Sequence, residues 1–140
     1  MAQNETPRDN HANVTLAGIE FEVEASNGAC VAYSNEFRGK LEKPFSGSLM
    51  TDLLVTNTAI ESGGEGEVQA LEHIPRIVWA MSFAAGGKDA TYEKFCKRIE
   101  HECVGYFELA EAYRTIIALA DRTFFRLPNR PADAGEPDEA

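Results

Sequence analysis

The stretch from about Glu67 to Ala85 constrains the fold most, because it is the most hydrophobic segment with helical spacing. Its apolar positions recur every three or four residues, which predicts a central helix. They are Val68, Leu71, Ile74, Ile77, Val78, Met81 and Phe83. Pro75 lacks an amide hydrogen, so we expect the helix to kink there or to restart with Pro75 in its first turn. Gly86-Gly87 is expected to end it.

A second pattern, near the amino terminus, has a period of two and predicts a β-hairpin that turns at Ala17-Gly18. The apolar positions are Val14, Leu16, Ile19, Phe21 and Val23, and Glu20, Glu22 and Glu24 stand between the later ones. One face would point inward and a row of carboxylates would face water. A hairpin this small must lie on helices to be stable.

Two further helices are expected between the hairpin and the central helix. Ser26 or Asn27 can cap the first, whose apolar positions include Tyr33 and Phe37, and Gly39 suits its end. The second has an apolar stripe at Leu49, Met50, Leu53 and Leu54. The β-branched residues Val55, Thr56 and Thr58 make a β-strand the alternative prediction for this segment. The segment from Ser62 to Gly66 reads as a flexible loop.

Two helices are expected after the central one. Asp89 or Thr91 can cap an amphipathic helix that ends near Ile99. The last runs from about Val104 to Phe125, before Pro128. Its inward stripe is expected to comprise Phe107, Ala110, Tyr113, Ile117, Ala120 and Phe124. The predicted fold class is mainly α, a small helical bundle with a short amino-terminal β-hairpin (α+β).

The length of 140 residues indicates one domain. Residues 13–127 are expected to form it. Residues 1–12 have almost no apolar side chain, and residues 128–140 combine three prolines with four acidic residues. Both ends are therefore predicted to be disordered tails, because they cannot bury enough surface to offset chain entropy.

The charge balance limits the classes of partner. Acidic residues number 23 against 13 basic ones, a formal net charge of −10, which argues against binding to nucleic acid or anionic lipid. No apolar run is long enough to span a membrane. The polar start carries no export signal, so we expect a cytoplasmic protein.

The candidate chemistry is sparse. Cys96, His101 and Cys103, with His73 or Cys30 as a fourth ligand, are the only set that resembles a zinc site. Their spacing fits buried, reduced thiols better, and we expect neither a metal nor a disulfide. The glycines around Glu65 lack the Lys-Ser/Thr ending of a phosphate loop. No nucleophile with a base at usable spacing is evident, so no catalytic residue and no cofactor is predicted.

The aromatic residues of the second half are more informative, since a small helical domain cannot hide every ring. One interpretation is a core in which aromatic rings anchor helix packing, and the other is an exposed binding surface. For the second interpretation the candidate partner-binding residues are Trp79, Phe83, Tyr92 and Phe95.

The order of four segments resembles the tail assembly chaperones of long-tailed bacteriophages and prophages. The segments are the strand pair from Val14 to Phe21, Tyr33 to Gly39, Ile77 to Met81, and Thr91 to Phe95. The resemblance covers roughly Val14 to Ile99. The chain departs from the family pattern at Phe95-Cys96, where a tryptophan is common, and in its longer carboxy-terminal helix.

The resemblance implies a non-enzymatic protein of the host bacterial cytoplasm that binds the tape-measure protein and helps the tail-tube protein polymerise around it. An apolar groove with a polar rim would suit such a partner, and it predicts self-association when the partner is absent. The alternative is a generic helical adaptor or regulatory interaction domain without catalysis. The neighbouring genes distinguish the two.

Overall fold

A computed structural model describes residues 10–100 and 104–126 of the chain. In this part a two-stranded antiparallel hairpin precedes five helices, which confirms the predicted mainly α fold with an amino-terminal hairpin. The elements are β1 (His11–Leu16), β2 (Ile19–Glu24), α1 (Asn27–Phe37), α2 (Leu49–Ser62), α3 (Glu65–Ala84), α4 (Tyr92–Ile99) and α5 (Tyr106–Asp121). No helix within these ranges is long and apolar enough to cross a membrane.

The hairpin turns at Ala17 and Gly18, both with positive φ (54° and 77°), as a tight two-residue connection requires. The apolar face, Val14, Leu16, Phe21 and Val23, is buried. Strand β1 begins at His11, so the predicted disordered tail of residues 1–12 is wrong for residues 11 and 12. His11 pairs with Glu24 in the ladder, and its imidazole contacts the carboxylates of Glu22 and Glu24.

Helix α3 is the centre of the core and contacts α1, α2, α4, α5 and β2. It runs without a break through Pro75, so the predicted restart there does not occur. Proline removes one helical hydrogen bond, and the complete burial of Ile74 and Ile77 beside it offsets that loss. The buried face is shorter than predicted, because Val68 and Phe83 near the two ends are exposed.

Local signals predicted the helix boundaries well at two caps. The Ser26 hydroxyl accepts from the Ala29 amide at the start of α1, and the Thr91 hydroxyl accepts from the Lys94 amide at the start of α4. The flexible loop expected at Ser62 to Gly66 is wrong in extent. Helices α2 and α3 leave only Gly63-Gly64 between them, both with positive φ.

Helix α5 departs from its prediction in part, because it ends at Asp121 and its fully buried face is shifted. Of the predicted stripe, Ala120 is buried, and Tyr113, Ile117 and Phe124 are half-buried against the core. The side chain of Phe107 is 82% exposed. The buried positions are Leu109, Ala112, Ile116, Leu119 and Ala120. The reason is a tertiary contact: the Glu108 carboxylate accepts from the backbone amides of Ala17 (2.8 Å) and Gly18 (3.1 Å), which turns this side of the helix toward the hairpin.

Candidate partner-binding surface

The four aromatic residues predicted to bind a partner lie together on α3 and α4. Trp79 stacks on Phe83, with ring centroids 5.8 Å apart, and meets Tyr92 edge-on at 6.5 Å. Tyr92 in turn stacks on Phe95 at 6.2 Å. These residues form one contiguous aromatic cluster, although Trp79 and Phe95 are 16 positions apart.

Most of this cluster is covered. Trp79 is 3% exposed and its indole donates to the carbonyl of Asp89 at 2.9 Å, while Phe95 is 1% exposed and packs against Phe21. The backbone amide of Tyr92 donates to Glu36 at 3.2 Å. Phe83, at 41% exposed, is the member that offers substantial surface. The cluster therefore anchors helix packing and presents one ring to solvent.

A more open apolar surface lies at the start of α5. Tyr106 is 52% exposed and Phe107 82%, and their rings meet edge-on with centroids 5.7 Å apart. Phe107 also lines a groove of about 490 Å³ between β1 and α5, which we call the β1–α5 groove. Its lining residues are Asn13, Val14, Thr15, Phe107, Glu108, Glu111, Ala112 and Thr115.

Contacts at both ends of β1 fasten α5 to the hairpin along the groove. At the turn of the hairpin, the Glu108 carboxylate accepts hydrogen bonds from the backbone amides of Ala17 and Gly18. At the other end, the Arg122 guanidinium donates to the carbonyl of His11 at 3.2 Å. Helix α5 therefore runs antiparallel to β1 over the whole strand and covers its outer edge.

Two carboxylates, those of Glu108 and Glu111, line the groove. Glu111 is exposed and pairs with Arg114 one turn along the helix. Outside the groove lining, the Tyr106 hydroxyl donates to Glu67 at 3.1 Å, and this hydrogen bond to a carboxylate raises the pKa of Tyr106. An exposed aromatic ring beside a groove with carboxylates at its edge is an arrangement that suits an amphipathic polypeptide with an apolar face.

A second cluster of functional groups is buried and was missed by the sequence analysis. The Asp52 carboxylate accepts from the Tyr33 hydroxyl at 2.7 Å. It also accepts from the Ser46 amide (2.8 Å), the Ser46 hydroxyl (3.0 Å) and the Gly47 amide (2.9 Å). The Tyr33 oxygen contacts His73 Nε2. The cluster thus ties α1, α2, α3 and the loop before α2 together.

The hydrogen bonds define the protonation of this cluster. Burial, and then the charge of Arg76, lower the pKa of His73 to about 4, so the imidazole is neutral at pH 7. Because the Tyr33 hydroxyl donates to Asp52, its oxygen must accept from His73 Nε2–H. The Phe45 ring stacks on the imidazole, with centroids 3.9 Å apart. Both oxygens of Asp52 are thereby committed to structural hydrogen bonds.

Two of the three cysteines, Cys30 and Cys96, lie within the described residues. Among the described residues Cys30 and Cys96 form no disulfide and are half-buried, and burial raises the pKa of the Cys30 thiol. His101 and Cys103 lie outside the described residues. Within residues 10–100 and 104–126, no group of three or more His, Cys, Asp or Glu side chains could hold a metal ion.

Comparison with known proteins returned no match. No protein-family model, no curated protein and no solved structure matches this chain.

Proposed function

We propose that this chain is a tail assembly chaperone of a long-tailed phage or prophage, a non-catalytic protein that binds an apolar helix of the tape-measure protein. The observation that carries the proposal is the 82% exposed ring of Phe107 beside the β1–α5 groove. Large exposed aromatic rings next to a groove are common anchors of protein interfaces. The groove would receive the apolar face of the helix.

The electrostatics support the same proposal. A tape-measure protein that is not yet enclosed by its tube exposes long apolar helix faces, which would aggregate without a cover. The net charge of −10 would keep the complex of the two proteins dispersed in the host cytoplasm. In the absence of the partner, we expect the same groove to mediate self-association of this chain.

The gene order is the first test of the proposal. A tape-measure gene directly downstream and a tail-tube gene upstream are expected. An unrelated operon would instead favour the generic helical adaptor, which would use the same surface for a different partner.

The direct test is co-expression of the affinity-tagged chain with the downstream tape-measure protein. We expect Phe107→Ser to weaken retention of the partner by about tenfold or more, because exposed aromatic anchors carry a large share of binding free energy. Val31→Ser is the matched control, since Val31 is also exposed but does not line the groove. Equal retention by wild type and Phe107→Ser would contradict this assignment of the surface.

Phe83→Ser tests the original aromatic prediction in the same assay. A loss comparable to that of Phe107→Ser would extend the surface to α3. Unchanged binding would restrict it to the β1–α5 groove.

A further inference from the structure

Strand β2 is the free edge of the hairpin. The two-residue turn makes Leu16 and Ile19 a hydrogen-bonded pair, so alternate residues of β2 direct their backbone groups away from β1. These residues are Glu20, Glu22 and Glu24. Within the described ranges, their outward N–H and C=O groups make no hydrogen bond. The opposite edge, on β1, is flanked by α5.

A cleft of about 270 Å³ adjoins this free edge. One wall is β2 from Ile19 to Glu22, and the other is the turn between α3 and α4, from Ala85 to Asp89. Lys88 and Arg98 also line the cleft, and Arg98 is paired with Asp89. Gly86 and Gly87 leave the turn without side chains at two positions. At Gly87 a Cβ would lie 2.8 Å from the carbonyl oxygen of Ser82, so the turn packs tightly onto the end of α3. At Gly86 an added Cβ would meet nothing within 4 Å, so an extended backbone has room to approach the strand edge on this side.

The charges along the edge indicate what kind of strand would pair there. Glu20, Glu22 and Glu24 share the solvent-facing side of the sheet, where the His11 imidazole contacts Glu22 and Glu24. Opposite charges directly across a strand pair are favourable, and like charges are unfavourable. A second copy of this chain pairing through β2 would bring the carboxylates of both copies onto one face. The edge therefore disfavours self-pairing and favours a cationic strand.

We propose that the β2 edge binds an extended segment of a partner protein that carries Lys or Arg at every second position, as a third strand of the sheet. Backbone hydrogen bonds to Glu20 and Glu22 would supply affinity, and the alternating charges would supply register. This site is on the opposite side of the hairpin from the β1–α5 groove and does not depend on the tape-measure proposal.

The test uses a fluorescent hexapeptide of three Lys-Val repeats and the full chain, followed by anisotropy at low salt. Saturable binding is expected. A peptide with the same sequence but N-methylated at alternate residues on its pairing edge should bind about tenfold more weakly, because it loses backbone donors. Three Glu-Val repeats should not bind. Equal affinity of the methylated and unmethylated peptides would overturn strand pairing and leave charge attraction alone.

A pair of matched variants locates the site. Glu22→Pro removes an outward amide and leaves the ladder with β1 intact, since proline is tolerated at the free edge of a strand. It should weaken Lys-Val binding by about tenfold, as expected for a lost hydrogen bond and a lost charge. Asn13→Pro, across the ladder on the edge beside α5, should leave binding of the Lys-Val peptide unchanged. Because Asn13 lines the β1–α5 groove, this variant is a control for the peptide only. An equal loss in both variants would refute the proposed edge.

Amide hydrogen exchange in the wild-type chain provides a readout that does not depend on how the variants fold. The amides of Glu20 and Glu22 should gain protection when the Lys-Val peptide is added. No change at these two amides at saturating peptide would overturn the proposal.

Discussion

Asp52→Ala is expected to lower the free energy of unfolding by about 3–5 kcal/mol, the usual cost of removing one partner from a buried charged network. The carboxylate is fully buried and accepts four hydrogen bonds from Tyr33, Ser46 and Gly47. Its loss leaves two backbone amides and two hydroxyls without their acceptor. Because small domains are stable by only about 5–15 kcal/mol, this loss removes a large share of the stability.

Urea denaturation followed by far-ultraviolet circular dichroism measures this change. Asp121→Ala is the matched control, because Asp121 is an exposed aspartate at the end of α5. Its loss should change stability by less than about 0.5 kcal/mol. A loss below about 1 kcal/mol for Asp52→Ala would show that Asp52 does not organise the buried cluster.

The second large effect is destabilisation by acid through His73. Its pKa in the folded protein is about 4, against an ordinary value of 6.5, because burial and Arg76 disfavour the charged imidazole. Above pH 6.5 the residue is neutral in both states and the contribution to stability is complete. As the pH falls from 6.5 toward 4, the unfolded chain takes up a proton that the folded chain does not, and stability is lost.

The lowering of the His73 pKa from 6.5 to about 4 corresponds to about 3 kcal/mol of stability. Several charged groups face His73 or its adjoining cavity, and their titration must be separated from that of the imidazole. They are Asp52, Arg76, Lys40, Glu42 and Glu72. All of them are retained in His73→Gln, in which the amide can still donate to Tyr33 but does not titrate.

Unfolding free energies of wild type and His73→Gln should therefore converge as the pH falls. At pH 7 the wild type should be the more stable protein, and by pH 4 its advantage over His73→Gln should shrink by about 3 kcal/mol. Parallel pH profiles would contradict a neutral, buried His73. A nuclear magnetic resonance titration of the imidazole checks the pKa directly.

The sequence predicted those features of the fold that are set locally. The hairpin follows from its period of two and its short turn at Ala17-Gly18, and the caps at Ser26 and Thr91 follow from hydroxyls that satisfy the first amides of a helix. The segment around Val55 and Thr56, for which a strand was the alternative, is helical. Helix α2 packs along α3, and these tertiary contacts outweigh the β-propensity of the branched residues.

Features set by distant contacts could not be predicted. Helix α5 has apolar residues on more than one face, so periodicity alone does not select the buried one. The contact from Glu108 to a turn about 90 residues earlier makes that selection and exposes Phe107. The sequence contains one indication that Asp52 is buried, which is its position between the apolar residues Leu49 and Leu53. Its partners could not be predicted, because Tyr33 and His73 lie far from it in sequence. The amino-acid composition does not indicate which aromatic rings are buried, and so it could not predict the burial of Trp79 and Phe95.

The most direct test of the proposed function is the solubility of the downstream tape-measure protein when it is expressed with and without this chain. We expect the tape-measure protein to sediment when alone, to remain in the supernatant with wild type or Val31→Ser, and to sediment with Phe107→Ser. A tape-measure protein that sediments equally with and without the wild-type chain would contradict the proposal that this protein covers its apolar helix.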